Sequence, residues 1–337
     1  MNAWQLAAPQ GVDALKLNQL PDPQPAPGQV LVRVRATSLN YRDLMVASGR
    51  YGPGVPLPLI PLSDGAGEIA AVGAGVTRWK VGDRVAGTFF QNWATGPLRR
   101  EVFEAALGGS LNGMLAQYVA LAADGVVAIP PHLDFAAAAT LPCAALTAWQ
   151  ALVTQGRVSA GQTVLVLGTG GVSIFAMQFA KMHGARVIIT SSSDAKLARA
   201  QALGADGIIN YRTTPDWEKE VFRLTDKTGA DHVVEVGGTN TFPKSLRAVA
   251  MGGTISVIGG VSGFTSEVSL RDILGKSVRI QGIFVGSREM FEAMNRAITQ
   301  HRLQPVLDRV FPFAEAPAAY RYQESGAHFG KLVITVE

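Results

Sequence analysis

The chain of 337 residues contains a single cysteine and no long apolar run. Its one thiol, Cys143, cannot form a disulfide within the chain, which is typical of proteins in a reducing cytoplasm. No apolar segment reaches the roughly eighteen residues that a membrane span requires. The sequence does not open on a charged segment followed by an apolar stretch, as a secretory signal does. We therefore expect a cytoplasmic protein with no membrane association.

Long runs of one charge and paired histidines are also missing. Charged residues make up 17% of the chain and the formal net charge is only +4. Basic residues are scattered, with no run longer than Arg99-Arg100, so the basic stripe of a nucleic-acid-binding protein is absent. The five histidines occur singly, without the spacing of metal ligands. We expect neither a nucleic-acid partner nor a histidine metal site.

A glycine-rich turn, QTVLVLGTGGVS over residues 162–173, is the most informative feature that is present. Four β-prone residues lead into Gly168 and Gly170, and a helix is predicted over 174–182. Gly168 permits a tight turn, Gly170 lets the backbone approach a pyrophosphate, and the helix N-terminus offers unpaired N–H groups. Ser173 stands where a third glycine or an alanine is usual. The turn predicts a dinucleotide site, and the alternative is a structural turn that binds nothing.

Strands and helices alternate for more than a hundred residues around this turn. The predicted strands cover 164–167, 186–190, 207–210, 232–236, 254–258 and 277–285, and the predicted helices cover 174–182, 194–203, a segment opened by Thr214-Pro215, and 241–251. Such Val/Ile-rich strands between helices are typical of a parallel sheet covered on both faces. Before about residue 126 the chain has short strands with many Gly and Pro, and after 286 come one amphipathic helix and a last strand over 331–336. We predict a β-rich domain from 1–126 and 286–337, with a Rossmann domain inserted over 127–285.

Eight short segments carry a resemblance to a known family. They are PGQVLVRV (27–34), NYRDL (40–44), GAGEIAAVG (65–73), VGDRV (81–85), TAWQAL (147–152), GTGGV (168–172), LGAD (203–206) and HFGKLV (328–333). In this order they resemble the medium-chain dehydrogenase/reductase superfamily. The resemblance implies an α/β protein in which a GroES-like, β-rich catalytic domain surrounds a doubly wound Rossmann domain. It also implies a homodimer, formed by pairing of the strand near 277–285 with its copy.

The positions of zinc ligands indicate the branch of the family. Zinc members have a Cys, a His-Glu pair and a second Cys or Asp, at positions that correspond here to Asn40, Ser63-Asp64 and Cys143. A tetrahedral site needs three protein ligands and a water, which one thiol with a hydroxyl and an amide cannot supply. The four-cysteine lobe of structural zinc is also missing from 89–118. The chain thus resembles the zinc-independent quinone oxidoreductase and enoyl/alkenal reductase branch, and we expect no metal and a structural Cys143.

That resemblance implies hydride transfer from a nicotinamide to a quinone or an α,β-unsaturated carbonyl compound. Hydrogen-bond donors near the acceptor oxygen would stabilise the developing anion, and family position makes Asn40, Arg42 and Tyr51 the catalytic candidates. Met45 replaces a second tyrosine of related quinone reductases, which makes the cleft more apolar. Two alternatives stay open: an alcohol dehydrogenase-like enzyme of the same superfamily, and a catalytically idle, crystallin-like dinucleotide-binding protein.

The segment after the second strand of the Rossmann domain indicates the cofactor. NAD-preferring loops place an acid about 20 residues beyond the first glycine, but residues 188–190 contain none. Hydroxyls and Lys196 can instead bind a 2′-phosphate, so we predict NADPH. Ser193 could equally be a helix N-cap with Lys196 solvated, and Asp194 is the feature that disfavours a phosphate. The full set of expected cofactor residues is Thr147, Gly168, Thr169, Gly170, Gly171, Val172, Ser192, Lys196, Tyr211, Val236, Gly237, Ile258, Gly259, Phe284, Val285 and Lys331.

Overall fold

Contacts along the chain divide it into two units, one inserted in the other. The computed structural model describes residues 1–52 and 54–337. One unit comprises residues 1–146 and 285–337, and the other comprises 147–284. The nested arrangement of a β-rich unit around an α/β unit is the predicted one. Its first boundary, however, lies at residue 147 and not at 127.

Short strands dominate the N-terminal part of the first unit. They are β1 (Asn2–Leu6), β2 (Leu15–Gln19), β3 (Gln29–Ser38), β4 (Asp64–Val72), β5 (Arg84–Gly87), β6 (Tyr118–Ala122) and β7 (Val126–Ala128). The α-helices here are α1 (Tyr41–Ala47) and α2 (Phe135–Ala138), with 3-10 turns at Val12–Ala14, Arg100–Ala105 and Ala123–Gly125. Strand β7 pairs with β5, and α2 contacts β3 and β4. These contacts explain why the segment from 127 to 146 belongs to the β-rich unit, which corrects the predicted boundary.

The inserted unit contains the predicted alternation. A helical segment (Leu141–Ala145, α3 at Leu146–Trp149, Gln150–Gln155) leads from the first unit into it. Then follow β8 (Thr163–Leu167), α4 (Gly171–Met182), β9 (Arg186–Ser191), α5 (Asp194–Ala202), β10 (Gly207–Asn210), α6 (Trp217–Leu224), β11 (Ala230–Glu235), α7 (Phe242–Ala248), β12 (Val249–Val257), α8 (Leu270–Lys276) and β13 (Arg279–Gly282). The six strands form one parallel sheet in the order β10-β9-β8-β11-β12-β13. Its apolar strands are buried, as expected for a sheet with helices on both faces.

Several predicted elements of the inserted unit have different bounds in the structure. Helix α6 begins at Trp217, because Thr214 N–H donates to the Asn210 carbonyl in a turn that precedes the helix. Helix α7 ends at Ala248, because Val249 pairs with Ala230 of β11 and so begins β12. The last strand is only Arg279–Gly282, shorter than the predicted 277–285.

The chain then returns to the β-rich unit. It forms α9 (Arg288–His301), β14 (Leu307–Pro312), a 3-10 turn at Phe313–Glu315, α10 (Ala316–Glu324) and β15 (Lys331–Thr335). Strand β15 pairs antiparallel with β3 in a seven-stranded sheet. Six of its strands follow the order β14-β15-β3-β4-β5-β7, and the seventh, β6, pairs with β3. The buried face of α9 contains Phe291, Met294 and Ile298, so this is the amphipathic helix that was predicted after residue 286. Among the helices of the described residues, none combines the length and apolarity needed to cross a bilayer.

Candidate active site

Asn40 lies at the junction between β3 and α1. It is the N-cap of the helix, and its backbone N–H donates to Asp43 Oδ2 over 2.8 Å. An acid three residues after an N-cap satisfies a backbone donor that the helix leaves free. This local arrangement buries the side chains of Asn40, Arg42 and Asp43 in the first turn of α1.

Arg42 is held by other groups of the protein. Its Nη1 donates to Asp43 Oδ1 at 3.1 Å, to the Leu107 carbonyl at 3.1 Å and to the Gly108 carbonyl at 2.8 Å. Its guanidinium lies 4.3 Å from the centre of the Tyr51 ring. Burial lowers the pKa of Arg42, but Tyr51 and Asp43 raise it more, so it is always charged. These contacts tie α1 to the segment at 107–108, while Nε and Nη2 of Arg42 are buried donors with no hydrogen-bond partner among the described residues.

Tyr51 is half-buried and borders a small, largely apolar cleft of the β-rich unit. The other residues lining this cleft are Pro9, Val46, Gly49, Gly52, Gly54, Val55 and Leu57. Tyr51 and Arg42 are therefore neighbours, as two candidates for one site should be.

Lys331, at the start of β15, places a buried ammonium next to Asn40. Its Nζ donates to the Leu39 carbonyl at 2.5 Å and to Asn40 Oδ1 at 2.7 Å, and lies 3.9 Å from Asp64 Oδ2. Only 3% of Lys331 is exposed. Burial lowers the pKa of Lys331, and Asp64 partly offsets this effect. Sequence reasoning assigned Lys331 to the cofactor by family position and missed its contact with Asn40, because the two are 291 residues apart.

Asp64 interacts with the Lys331 ammonium and also accepts hydrogen bonds from Ser63 and Cys143. Ser63 Oγ donates to Asp64 Oδ1 at 2.8 Å, and the Cys143 backbone N–H donates to Asp64 Oδ2 at 3.2 Å. Burial raises the pKa of Asp64, while Lys331 lowers it. Burial and the neighbouring Asp64 raise the pKa of the Cys143 thiol, so the thiol is neutral. We call Asn40, Ser63, Asp64, Cys143 and Lys331 the lysine cluster.

The lysine cluster occupies the positions at which zinc-containing relatives are expected to have ligands. The structure brings these positions together, but their chemistry does not fit zinc. A zinc site requires thiolate, imidazole or carboxylate ligands, whereas here an amide and a hydroxyl hold two of the positions and an ammonium lies 3.9 Å from the one carboxylate. Within residues 1–52 and 54–337, no group of three or more His, Cys, Asp or Glu side chains could hold a metal ion.

The glycine-rich turn of the inserted unit has the geometry of a phosphate-binding loop. Gly168 has a φ of 73°, a conformation that glycine adopts without strain. Gly170 is the N-cap of α4, and a Cβ added there would meet nothing within 4 Å. Ser173 Oγ donates to the Leu167 carbonyl at 2.7 Å, so the serine closes the turn in place of the third glycine. This open space at a helix N-terminus fits the pyrophosphate of a dinucleotide.

The expected 2′-phosphate residues follow two adjacent strands, β9 and β10. Tyr211 N–H donates to the Ser191 carbonyl at 3.1 Å, which places Tyr211 beside the serine run, and its side chain is 42% exposed. Ser193 is the N-cap of α5, since its side chain accepts from Lys196 N, as the capping interpretation predicted. The carboxylate of Asp194 accepts a hydrogen bond from Asn210 Nδ2 at 2.6 Å. Asp194 is thus already engaged by a neighbouring amide.

A buried glutamate, missed at the sequence level, organises the next turn. Glu235 is fully buried at the end of β11, and its Oε1 accepts from Gly237 N at 2.7 Å, Gly238 N at 3.0 Å and Thr241 Oγ1 at 2.6 Å. An acid that ends an apolar strand before Gly-Gly is the signal that could have identified it. Val236 and Gly237 follow β11, and Ile258 and Gly259 follow β12, so the structure places these four predicted cofactor residues at the same edge of the parallel sheet as the glycine loop.

The remaining predicted cofactor residues are divided between the units. Thr169, Gly171 and Val172 lie in the glycine turn and the first turn of α4. Thr147 is the first residue of the inserted unit and Phe284 is its last, whereas Val285 and Lys331 belong to the β-rich unit.

Comparisons with known proteins identify both units. The alcohol dehydrogenase GroES-like domain family matches residues 26–131, and the zinc-binding dehydrogenase family matches residues 171–300. A zinc-type alcohol dehydrogenase-like protein of Schizosaccharomyces pombe is 45% identical over 97% of this chain and 96% of that protein. The acryloyl-coenzyme A reductase of Metallosphaera sedula is 29% identical over 95% and 96% of the two chains. The crystal structure of an NAD-dependent alcohol dehydrogenase superposes with a TM-score of 0.92, at 37% identity and 100% coverage of both chains.

Proposed function

The chain belongs to the medium-chain dehydrogenase/reductase superfamily, and from this premise we propose that it is a zinc-independent, NADPH-dependent reductase of α,β-unsaturated carbonyl compounds or quinones. The observation that carries the proposal is the ammonium of Lys331 among the residues at the zinc-ligand positions. The likeness to an acryloyl-coenzyme A reductase supports an activated alkene as acceptor. We assign this activity to the cytoplasm, where an unpaired thiol is usual.

The side chains of both units have separate tasks in this reaction. A bound nicotinamide cofactor supplies the hydride. The N–H groups at the start of α4 bind its pyrophosphate, and Ser192, Lys196 and Tyr211 bind the 2′-phosphate. In the β-rich unit, Asn40 and Tyr51 donate hydrogen bonds to the acceptor oxygen, on which negative charge develops. Water delivers the final proton.

The first test is a substrate panel. The purified protein should oxidise NADPH with small enones, enals or quinones, contain no stoichiometric zinc and keep its activity in a chelator. Asn40→Ala is the control that should lose most of the activity while it binds NADPH normally. Failure of every enone and quinone in the panel would overturn the proposal.

Alcohol dehydrogenase activity is the second candidate, because one similar protein is described as alcohol dehydrogenase-like and another as an alcohol dehydrogenase. It predicts NAD(P)-dependent oxidation of alcohols, and in its metal-dependent form stoichiometric zinc by elemental analysis. A protein that binds NADPH but turns over neither panel would be the catalytically idle alternative.

A Tyr51→Phe variant tests how much one hydrogen-bond donor to the acceptor oxygen contributes to the rate. Loss of one donor to a developing oxyanion costs about 3 kcal/mol in well-studied enzymes, but water can still supply the proton. Tyr51→Phe should therefore slow turnover, by up to about 100-fold, without abolishing it. A folded, NADPH-binding Tyr51→Phe protein with no activity would show instead that Tyr51 is the obligatory proton donor.

We also propose that the protein is a homodimer formed through β13. This strand is at one end of the parallel sheet, and its outer edge is not paired within the described part of the chain. The preceding helix α8 exposes Leu270 and Leu274, by 77% and 82%. Exposed apolar side chains and an open strand edge are each suited to self-association. Sedimentation at micromolar concentration should give a dimer mass that Leu274→Asp reduces, and a monomeric wild-type protein would contradict this.

A further inference from the structure

The contact between Lys331 and Asn40 shows how the Asn40 amide is oriented, and the capping box of α1 agrees, since the Asn40 side chain is its acceptor. A side-chain amide has an accepting oxygen at one end and a donating nitrogen at the other, and the two are nearly the same size. A lysine ammonium has three donors and no acceptor. The amide end that faces Lys331 Nζ at 2.7 Å must therefore be the oxygen. The ammonium is itself fixed, since it also donates to the Leu39 carbonyl.

The other end of this amide is a buried donor without a partner. Asn40 is 8% exposed, and no described group accepts a hydrogen bond from its Nδ2. Asp64 is close enough for Lys331 and the Asn40 amide to lower its pKa, which burial raises, but it forms no hydrogen bond with Nδ2. A buried donor left unsatisfied costs about 1–3 kcal/mol. Such a group is expected where a ligand supplies the acceptor.

We propose that Lys331 is a positioning residue, whose ammonium fixes the Asn40 amide so that Nδ2 is the donor to the acceptor oxygen of the substrate. The inference rests on the proposed function for the identity of that oxygen. A donor at Asn40 Nδ2 favours substrates in which a carbonyl oxygen gains negative charge as the hydride is transferred. Lys331 acts on this oxygen through Asn40 and does not contact it.

Two other roles for Lys331 give different expectations. If it binds the cofactor, as family position implies, its loss should weaken NADPH binding whether or not Asn40 is present. If it only neutralises Asp64, then removing both charges should restore activity. The experiment therefore combines three neutral substitutions: Lys331→Met, Asp64→Asn and Asn40→Ala.

The central measurement is a double-mutant cycle on the rate of acceptor reduction. Lys331→Met/Asp64→Asn removes a buried ion pair as a pair, which avoids an uncompensated buried charge. Relative to Asp64→Asn alone, we expect it to lower kcat between about tenfold and about 100-fold, with the dissociation constant of NADPH unchanged. In the Asn40→Ala/Asp64→Asn background, Lys331→Met should change kcat less than about twofold. An equal loss in both backgrounds, or NADPH binding weakened tenfold, would overturn the proposal.

Asn40→Asp makes the test independent of how the Lys331 variants fold. The carboxylate still accepts from Lys331 but cannot donate, so the variant should fold and lose as much activity as Asn40→Ala. If Asn40→Asp keeps wild-type kcat, Nδ2 is not the donor and the inference is wrong.

An NMR measurement without substrate tests the positioning of the Asn40 amide independently of the proposed function. The side-chain amide of Asn40 gives a pair of ¹⁵N–¹H resonances, which can be assigned by their loss in Asn40→Asp. These signals should shift in Lys331→Met/Asp64→Asn relative to Asp64→Asn, because the amide loses its fixed partner. Unchanged signals would refute the positioning role. If they shift but no acceptor is reduced by the wild-type protein, the proposed function fails and the positioning of the amide stands.

Discussion

The candidate ligand sites of the two units are built from different kinds of groups. In the β-rich unit, charged side chains are buried against one another: Lys331 lies near Asp64, and Arg42 pairs with Asp43. In the inserted unit, the loop at Gly170 leaves open space in front of a helix N-terminus. One site is thus built from internal charge pairs, and the other from exposed backbone donors. We therefore expect substitutions that break the buried charge pairs or close backbone contacts of the first unit to affect folding, and substitutions at the glycine loop of the second unit to affect cofactor affinity.

Glycines show the same contrast. A Cβ added at Gly67 in β4 would lie 2.0 Å from the Arg33 carbonyl oxygen of the neighbouring strand, whereas one added at Gly170 would contact nothing within 4 Å. The first glycine allows two backbones to approach, and the second allows a ligand to approach. Both are needed, but for different reasons.

We expect the largest effect from Gly67→Ala, which should lower the free energy of unfolding. The new methyl group would overlap backbone atoms, which cannot move away as a side chain can, so we expect a loss of at least about 3 kcal/mol in the free energy of unfolding. Gly87→Ala in β5 is the matched control, since its Cβ would meet only side-chain atoms, the nearest being Leu121 Cδ1 at 3.2 Å. Urea unfolding followed by tryptophan fluorescence measures both. Equal losses would show that the close approach at Gly67 is relieved by a backbone shift.

The second prediction concerns the pH dependence of the buried charge pairs. Burial raises the pKa of Asp43 to about 6, although Arg42 opposes the shift. A raised folded-state pKa means that Asp43 favours the folded state below pH 4 and that this contribution is lost as pH rises through about 6. The unfolding free energy of the wild type should therefore fall relative to that of Asp43→Asn between pH 4 and pH 7, by at most about 3 kcal/mol for a shift of this size.

Asp83 provides the control for that prediction. Asp83 is in the same unit, but its carboxylate accepts hydrogen bonds from the side chain and the backbone N–H of Lys80, and these lower the pKa of Asp83. The difference between wild type and Asp83→Asn should therefore change in the opposite direction, with the wild type losing its advantage as the solution is acidified below pH 4. Urea titrations at several pH values measure both variants. If Asp43 behaves like Asp83, its pairing with Arg42 outweighs its burial.

The sequence predicts local features of the two units better than long-range ones. Strand β8, the glycine turn and helix α4 are local, and their hydrophobic pattern and glycines predict their end points to within three residues. The Ser193 N-cap is predicted for the same reason. The contact of Lys331 with Asn40 depends on the pairing of β15 with β3, which no local pattern contains. The boundary at residue 147 was missed because β7 and α2 belong to the first unit through their partners in space.

The third prediction changes the open space in the inserted unit. Gly170→Asp adds both bulk and a negative charge where the pyrophosphate is expected, so NADPH should bind about 100-fold more weakly, or about 2.7 kcal/mol. We expect the fold to be unaffected, because a Cβ at this position meets no protein atom within 4 Å. Gly275→Ala in α8 also adds atoms in open space, but far along the chain from the loop, and should leave NADPH affinity unchanged. Fluorescence titration with NADPH gives the affinities, and an unchanged value for Gly170→Asp would place the pyrophosphate elsewhere.

The smallest expected effect is the preference between the two cofactors. No acid ends β9 to bind the ribose of NAD, and Asp194, the nearest acid, accepts a hydrogen bond from Asn210. A charge-assisted contact from Lys196 to the 2′-phosphate should favour NADPH over NADH by roughly tenfold in kcat/KM, or about 1.4 kcal/mol. Lys196→Ala should remove most of this preference and leave the use of NADH nearly unchanged. Lys181→Ala is the control, since Lys181 pairs with Asp206 on the same unit and should not affect the preference. Because the solved structure of a similar protein is described as NAD-dependent, this measurement separates the two cofactors directly, and equal kcat/KM for both in the wild type would contradict the NADPH assignment.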